Sequence, residues 1–210
     1  RVAYSVVVPA RISIAIRPAA GGTDDVVYTS SEATLVEDWS RDGRFLLGLE
    51  STAGRSPNRG LIIPLEGDRK PIVFADLPIG AGLDEPRFSP DGNWIVYNAG
   101  DGGRQDVFLV PVPATGERWQ LSTDGGAQGR WRADGNAIFY LSPSGRLMEV
   151  PVTARSGQPP QIGRPRVLFE TGVEMLSNLD QYAPNADGTR FLLRRAKGGA
   201  GGTEPQDGGD

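Results

Sequence analysis

Neither cysteine nor histidine occurs among the 210 residues, and the two absences exclude different kinds of chemistry. Without cysteine the chain has no disulfide framework and no thiolate metal site. Without histidine it has no Ser-His or Cys-His nucleophile, no imidazole general base and no histidine-based zinc site. Because a cysteine-free chain suits the cytoplasm and an oxidising compartment equally, this absence leaves the cellular location open.

Long hydrophobic runs and an excess of positive charge are missing too. No apolar stretch approaches the roughly 18–20 residues that a membrane-spanning helix needs. The N-terminal stretch is short and β-branched and has no initiator methionine, which favours a strand of a longer chain over a signal peptide. The net charge is −4, and residues 198–210 carry three acidic side chains and no cation. The nearly neutral remainder lacks a basic footprint, so no nucleic-acid partner is expected, and a membrane is reached only through a segment upstream of Arg1.

Glycine and proline are abundant, with 29 and 17 residues, and they recur between apolar runs as turn residues do. Four of these turns carry the same Asp-Gly pair, in which Asp bonds to nearby backbone and Gly accepts a positive φ. The Asp residues are separated by 49, 43 and 53 positions, a period typical of four-stranded propeller blades. The pairs are Asp42-Gly43, Asp91-Gly92, Asp134-Gly135 and Asp187-Gly188.

The pattern around each pair predicts strands. An aromatic residue precedes three of the pairs by three positions, and an apolar run follows each pair, which is typical of two strands joined by a tight turn. No amphipathic helix of ten or more residues is found. The sequence therefore predicts an all-β protein over residues 1–197, a partial β-propeller of antiparallel four-stranded blades, followed by a disordered Gly-rich tail over 198–210. The expected blades are 36–75, 85–123 and 128–170 in full, with partial blades at about 1–30 and 178–195.

The partial blades leave two architectures open. The C-terminal strands could join the N-terminal three to close a ring, or further blades could lie outside this sequence. The start of the chain within a strand favours the second.

Residues 88–97, which read FSPDGNWIVY, resemble the core signature of the TolB-like (WD40-like) propeller repeat. Residues 38–47, DWSRDGRFLL, look closer to one subgroup, the propeller found C-terminal to bacterial membrane-anchored serine/threonine protein kinases. The resemblance extends over about 26–193, and the last repeat departs from it with Asn-Ala-Asp-Gly in place of Ser-Pro-Asp-Gly. Further segments that follow the subgroup in order are 119–126, 130–135, 139–141, 147–152 and 168–171.

The resemblance implies a non-catalytic sensor or scaffold module that binds a protein or a small ligand on the periplasmic or extracytoplasmic side of the membrane, although a cytoplasmic location stays open. The chain itself contains no kinase phosphate loop, catalytic loop or Asp-Phe-Gly triplet. Two alternatives remain. One is the propeller domain of a prolyl-oligopeptidase-like peptidase, whose Ser-His-Asp centre would lie elsewhere. The other is a free-standing TolB-type periplasmic interaction protein.

The candidate ligand-facing residues are Asp38, Arg87 and Arg130, which share one repeat position four residues before the Asp of the turn. On the innermost strands they would line the propeller axis, where they could bind an anionic ligand or a peptide, or form an internal salt-bridge lattice. Calcium binding at the Asp-Gly turns is disfavoured because each turn supplies a single Asp.

Other charged or glycine-rich stretches read as structural. The pair Asp84-Glu85 is not expected to be catalytic, because neighbouring strand residues point to opposite faces. The loop 101–106 and the pair Asp24-Asp25 read as solvated connections. The Gly-rich tail lacks the ending of a phosphate loop. No catalytic, cofactor or metal residue is predicted.

Overall fold

Strands are the only regular elements in the described part of the chain, which comprises residues 1–8, 11–52, 56–101, 103–176 and 180–194 of the computed structural model. This confirms the predicted all-β fold. No helix among these residues reaches the length and apolar character that crossing a membrane would require. The predicted disordered tail at 198–210 and residues 178, 179 and 195 of the last predicted blade lie outside the described residues.

The strands form five antiparallel sheets that follow one another along the chain. The first sheet contains β1 (Val2–Val8), β2 (Arg11–Arg17) and β3 (Asp25–Ser30). The second contains β4 (Ala33–Trp39), β5 (Phe45–Ser51), β6 (Arg59–Pro64) and β7 (Ile72–Asp76). The third contains β8 (Gly82–Phe88), β9 (Trp94–Gly100), β10 (Gln105–Pro111) and β11 (Trp119–Gln120). The fourth contains β12 (Ala127–Trp131), β13 (Ala137–Leu141), β14 (Arg146–Thr153), β15 (Gln161–Ile162) and β16 (Arg166–Glu170), and the fifth contains β17 (Tyr182–Pro184) and β18 (Phe191–Leu193).

Each sheet packs its face against the next one. Four hydrophobic clusters lie between consecutive sheets, and each joins side chains from both neighbours. The second strands of the second, third and fourth sheets are buried along almost their whole length, as the run IVYNA on β9 shows, because their side chains are covered on both faces. Stacked sheets that are each covered on two sides are the packing expected between blades.

The Asp-Gly turns have one geometry in all four places. In the third sheet, the Gly92 backbone N–H donates to the Ser89 carbonyl at 2.9 Å, and the Asp91 carboxylate accepts from the Asn93 backbone N–H at 3.1 Å. The glycine φ values are 76°, 75°, 74° and 71° along the chain, a left-handed conformation that glycine adopts without a Cβ clash. The turn pairs therefore act as hairpin formers.

The last repeat keeps this geometry although its sequence differs. The Asn185 side-chain oxygen accepts the backbone N–H of Arg190 at 3.0 Å. The Ser89 hydroxyl accepts the Trp94 N–H at 3.0 Å at the same place. Asn185 thus takes the place of Ser40 and Ser89, the acceptors of the first two repeats.

The fourth sheet differs from the expected four strands. A short strand, β15, pairs with the end of β14, and β16 pairs with the beginning of the same strand. The outermost position is shared by two short strands because β14 is eight residues long, longer than either of them.

The first strand of the second, third and fourth sheets contains a bulge at one common place. Its register against the next strand shifts between Val36 and Asp38, between Asp84 and Arg87, and between Ala127 and Arg130. A bulge inserts unpaired residues and bends the strand, so it redirects side chains. These three strands, which we call the inner strands, position the candidate site.

Candidate functional site

The inner strands bring Asp38, Arg87 and Arg130 to one cavity of about 230 Å³. The three residues come from successive sheets, and β8 lies beside both β4 and β12. The aromatic residues that precede the turns also line this cavity. Phe88 is buried in the core, whereas Trp39 and Trp131 are half-buried against it. The remaining lining residues are Arg41, Ser89, Pro90 and Pro184.

Asp38 is tied to the neighbouring sheet. Its carboxylate oxygen Oδ2 accepts the backbone N–H of Phe88 at 2.8 Å. Burial raises the pKa of Asp38, and the bond to Phe88 opposes that rise. This side chain therefore fastens β4 to β8 as well as lining the cavity.

Arg87 directs its guanidinium back toward the second sheet. Its Nη1 donates to the Pro86 carbonyl at 2.9 Å and, at 3.4 Å each, to the carbonyl and the carboxylate of Glu37. Its Nη2 lies 3.7 Å from the carboxylate of Asp180. The side chain is about one fifth exposed, so these contacts are only partly screened by solvent.

Arg130 is more deeply buried and pairs with two acidic residues. Its Nη2 donates to the Glu85 carboxylate at 2.9 Å and also contacts the Asp180 carboxylate. Its Nη1 donates to the Gly129 carbonyl at 2.9 Å. Arg130 therefore joins three segments, the inner strands β8 and β12 and the residue that precedes β17 by two positions.

Glu85 has the most perturbed carboxyl group of this region. The residue is 8% exposed and its backbone has a φ of 51°, which its place in the bulge requires. Burial raises its pKa to about 7, and the neighbouring Arg130 only partly offsets this rise. The second carboxylate oxygen, Oε1, is buried and has no hydrogen-bond partner among the described residues.

Carboxylates outnumber cations where the inner strands meet. We call the five acidic and two basic side chains at this place the inner-strand cluster. Burial raises the pKa of four of its acids. When all of them are ionised, five acidic groups face two guanidiniums, so the cluster carries a formal charge of about −3. Its members are Glu37, Asp38, Asp84, Glu85, Asp180, Arg87 and Arg130.

The other candidate acids form ion pairs with nearby arginines. Asp24 pairs with Arg17 at 2.7 Å, Asp25 pairs with Arg69 at 2.7 Å, and Asp106 pairs with Arg104 at 3.1 Å. Within the described ranges no three acidic side chains are placed to hold a metal ion. Gly102, in the loop predicted to be a solvated connection, lies outside those ranges.

Asp84 and Glu85 form bonds with different partners. Asp84 accepts from the Gln105 amide at 2.8 Å, whereas Glu85 accepts from Arg130. The two carboxylates therefore have different hydrogen-bond partners, although both belong to the inner-strand cluster.

Sequence reasoning did not single out Glu37 or Asp180 and treated Glu85 only as half of a pair. A signal existed in the repeat. Glu85, Gln128 and Gln181 all stand six residues before an Asp of the turns, and Asp84 and Asp180 stand seven before. Polar residues at a repeated inner position could have indicated a second layer of the site.

No protein-family model matches the sequence. No curated protein matches it either. Solved structures do, and TolB from Acinetobacter baumannii superposes with a TM-score of 0.63 at 19% identity, covering 94% of this chain and 47% of that one. The fold is that of a TolB-like β-propeller. The chain spans about half the length of that TolB, which agrees with a partial propeller.

Two enzymes share the same architecture. A putative 6-phosphogluconolactonase from Bacteroides uniformis matches with a TM-score of 0.53 at 13% identity, over 89% of this chain and 58% of its own. An oligogalacturonate lyase in complex with manganese matches with a TM-score of 0.52 at 14% identity, over 67% and 39%. At these identities the likeness concerns the fold alone, because one propeller fold hosts many unrelated functions.

Proposed function

We propose that this chain is a non-catalytic propeller module that binds a protein or a small ligand at the inner-strand face. The observation that carries the proposal is the cavity of about 230 Å³ that Asp38, Arg87 and Arg130 line from three successive sheets. Charged side chains that converge from separate elements on one concavity are typical of a binding site.

A binding role also suits the chemistry of these residues. The two arginines of the cavity pair with carboxylates. The sequence contains no histidine to act as a general base and no cysteine to act as a nucleophile. Charged groups that hold one another in place are suited to recognising a partner.

We further propose that the module belongs to a bacterial envelope protein, in the arrangement of a membrane-anchored serine/threonine kinase with an extracytoplasmic propeller. The support is the resemblance to that subgroup of residues 38–47 and of the segments 119–126, 130–135, 139–141, 147–152 and 168–171. A kinase domain and a membrane-spanning helix encoded upstream of Arg1 would agree with this arrangement. A hydrolase domain with a Gly-x-Ser-x-Gly segment would favour the peptidase-associated alternative, and a secreted protein without an enzyme would favour the TolB-type one.

Site-specific photo-crosslinking tests the proposed binding face. Arg41, which is exposed at the cavity, is replaced by p-benzoylphenylalanine, and the exposed Arg164 between β15 and β16 is replaced as the matched control. In envelope extract of the source organism we expect a discrete adduct from position 41 that excess unlabelled protein abolishes. Position 164 should give none. Equal adducts from both positions, or adducts from position 164 alone, would contradict the proposed face.

The absence of catalysis is tested separately. The purified chain is incubated with p-nitrophenyl acetate, p-nitrophenyl phosphate, and ATP with a serine peptide. We expect rates equal to those of buffer. Turnover that the wild type shows and that Asp38→Asn or Glu85→Gln abolishes would overturn the non-catalytic assignment.

A further inference from the structure

The inner-strand cluster has more hydrogen-bond acceptors than its own cations can serve. Arg130 uses Nη2 on Glu85 and Asp180, and Arg87 uses Nη1 on Glu37 and a carbonyl. Glu85 Oε1 is nevertheless buried, and no donor in the described part of the chain reaches it. A buried acceptor without a donor costs roughly 1–3 kcal/mol, so a bound donor at this point would be stabilising.

We propose that the inner-strand cluster binds a positively charged side chain of a partner peptide, an ammonium or guanidinium group that donates to Glu85 and Asp180. This inference rests on the proposed function, because it names the ligand class of the same face. It also replaces the anionic ligand that the two arginines suggested from sequence.

The charges favour a cation over an anion. An anion would have to compete with the carboxylates already bound to Arg87 and Arg130, and it would enter a group that carries about −3 at full ionisation. A cation has no such competition, because it binds to acceptor oxygens of the carboxylates and does not have to displace a bound arginine. An organic cation fits better than a metal ion, because the described residues include no group of three acidic side chains arranged as metal ligands.

The two acids of the proposed contact differ in their exposure to solvent. The side chain of Asp180 is 65% exposed, whereas that of Glu85 is 10% exposed, and both contact Arg130. A long side chain could therefore meet Asp180 first and continue to Glu85. Lys and Arg have the flexible stems and several donors that such a path requires.

Calorimetric titration with blocked tripeptides tests this assignment. Acetyl-Lys-Lys-Lys-amide is titrated into the wild type and into Glu85→Gln, Asp180→Asn and Glu170→Gln, with the alanine and glutamate tripeptides as controls. Glu170 is an exposed acid of β16 that pairs with Arg146, so its variant removes one charge far from the inner strands. Circular dichroism checks that each variant is folded, and Asp180→Asn keeps the test valid if Glu85→Gln fails to fold.

We expect the lysine peptide to bind the wild type and Glu170→Gln equally and to bind Glu85→Gln and Asp180→Asn at least tenfold more weakly. Equal affinity in all four proteins, no binding, or tighter binding of the glutamate peptide would overturn the inference. A parallel titration with spermidine distinguishes the source of the cation. If spermidine binds and the peptide does not, the peptide assignment is wrong.

Failure here can be told apart from failure of the proposed function. Crosslinks at position 41 together with unchanged peptide affinity in Glu85→Gln would support the proposed binding face and contradict the cationic ligand. Crosslinks confined to position 164 would contradict the binding face itself.

Discussion

Stability of this protein should fall as pH rises through neutrality, and Glu85 should be the main cause. Burial holds its pKa at about 7, against an ordinary value of 4.5, so the folded chain binds this proton more tightly than the unfolded chain. A carboxyl with a raised folded pKa contributes stability that is fully present below pH 4.5 and is lost as pH rises toward 7. Above pH 7 the Glu85 carboxylate is charged although it is buried, and this lowers the stability of the folded chain.

The magnitude follows from the two pKa values. Each tenfold difference in proton affinity corresponds to about 1.4 kcal/mol, so the full effect is about 3 kcal/mol. Between pH 5 and pH 8 the loss is roughly 2–3 kcal/mol, because a part of the full effect already occurs between pH 4.5 and pH 5. Glu37, Asp38 and Asp84, whose pKa values are also raised by burial, act in the same direction.

Urea unfolding at pH 5, 6, 7 and 8 isolates the contribution of Glu85. Glu85→Gln has no charge to lose, and the other raised carboxyls are present in both proteins and cancel in the difference. We expect the stability of the wild type relative to Glu85→Gln to fall by about 2–3 kcal/mol from pH 5 to pH 8. A difference that is constant over this range, or that increases with pH, would refute the reasoning.

Three further predictions concern the sheets and turns. Gly60→Ala should destabilise by roughly 1–3 kcal/mol, because its Cβ would lie 2.2 Å from the Phe74 ring, whereas Gly103→Ala, which meets nothing within 4 Å, should be near neutral in thermal unfolding. Gln128→Ala should cost about 1–3 kcal/mol and speed amide exchange selectively in β17 and β18, since its side chain bonds to the segment before them. Asp134→Asn should lower stability at pH 5 by about 0.2–1 kcal/mol and leave it unchanged near pH 2, because ion pairing with Arg132 holds the pKa of Asp134 at about 2. An equal loss at both pH values would contradict that last assignment.

The turns and the strand pairs could be predicted from sequence because their causes are local. An Asp side chain that caps its own turn and a glycine at positive φ require only three or four consecutive residues, and the same bonds recur at Asp91 and Asp187. Burial of the strands that follow is equally local, since an apolar run between two turns has few alternatives to a covered strand.

The composition of the inner-strand cluster could not be predicted in the same way. The bulges depend on how β4, β8 and β12 meet the neighbouring sheets, and a bulge changes which side chains face the centre. Asp180 is about 50 residues from Arg130 along the chain and reaches it only through packing of the fourth and fifth sheets. The sequence placed three members of the cluster at one repeat position, and its only sign of Glu85 and Asp180 was the recurrence of polar residues six and seven positions before the Asp of a turn.

One repeat position, six residues before the Asp of the turn, has the same backbone conformation in two sheets but different side-chain roles. Glu85 and Gln128 occupy equivalent places, with φ values of 51° and 62°, and both are buried. Gln128 donates to the Gln181 side chain at 2.9 Å and accepts from its backbone N–H at 2.9 Å, so it locks the fourth sheet to the fifth. Within the described ranges, the Glu85 carboxylate accepts from the Arg130 guanidinium of the next sheet, and its other oxygen has no partner. The bulge therefore provides a buried polar position in the third and fourth sheets, and the residue that fills it decides whether that position is a structural lock or, as we propose, an acceptor for a ligand.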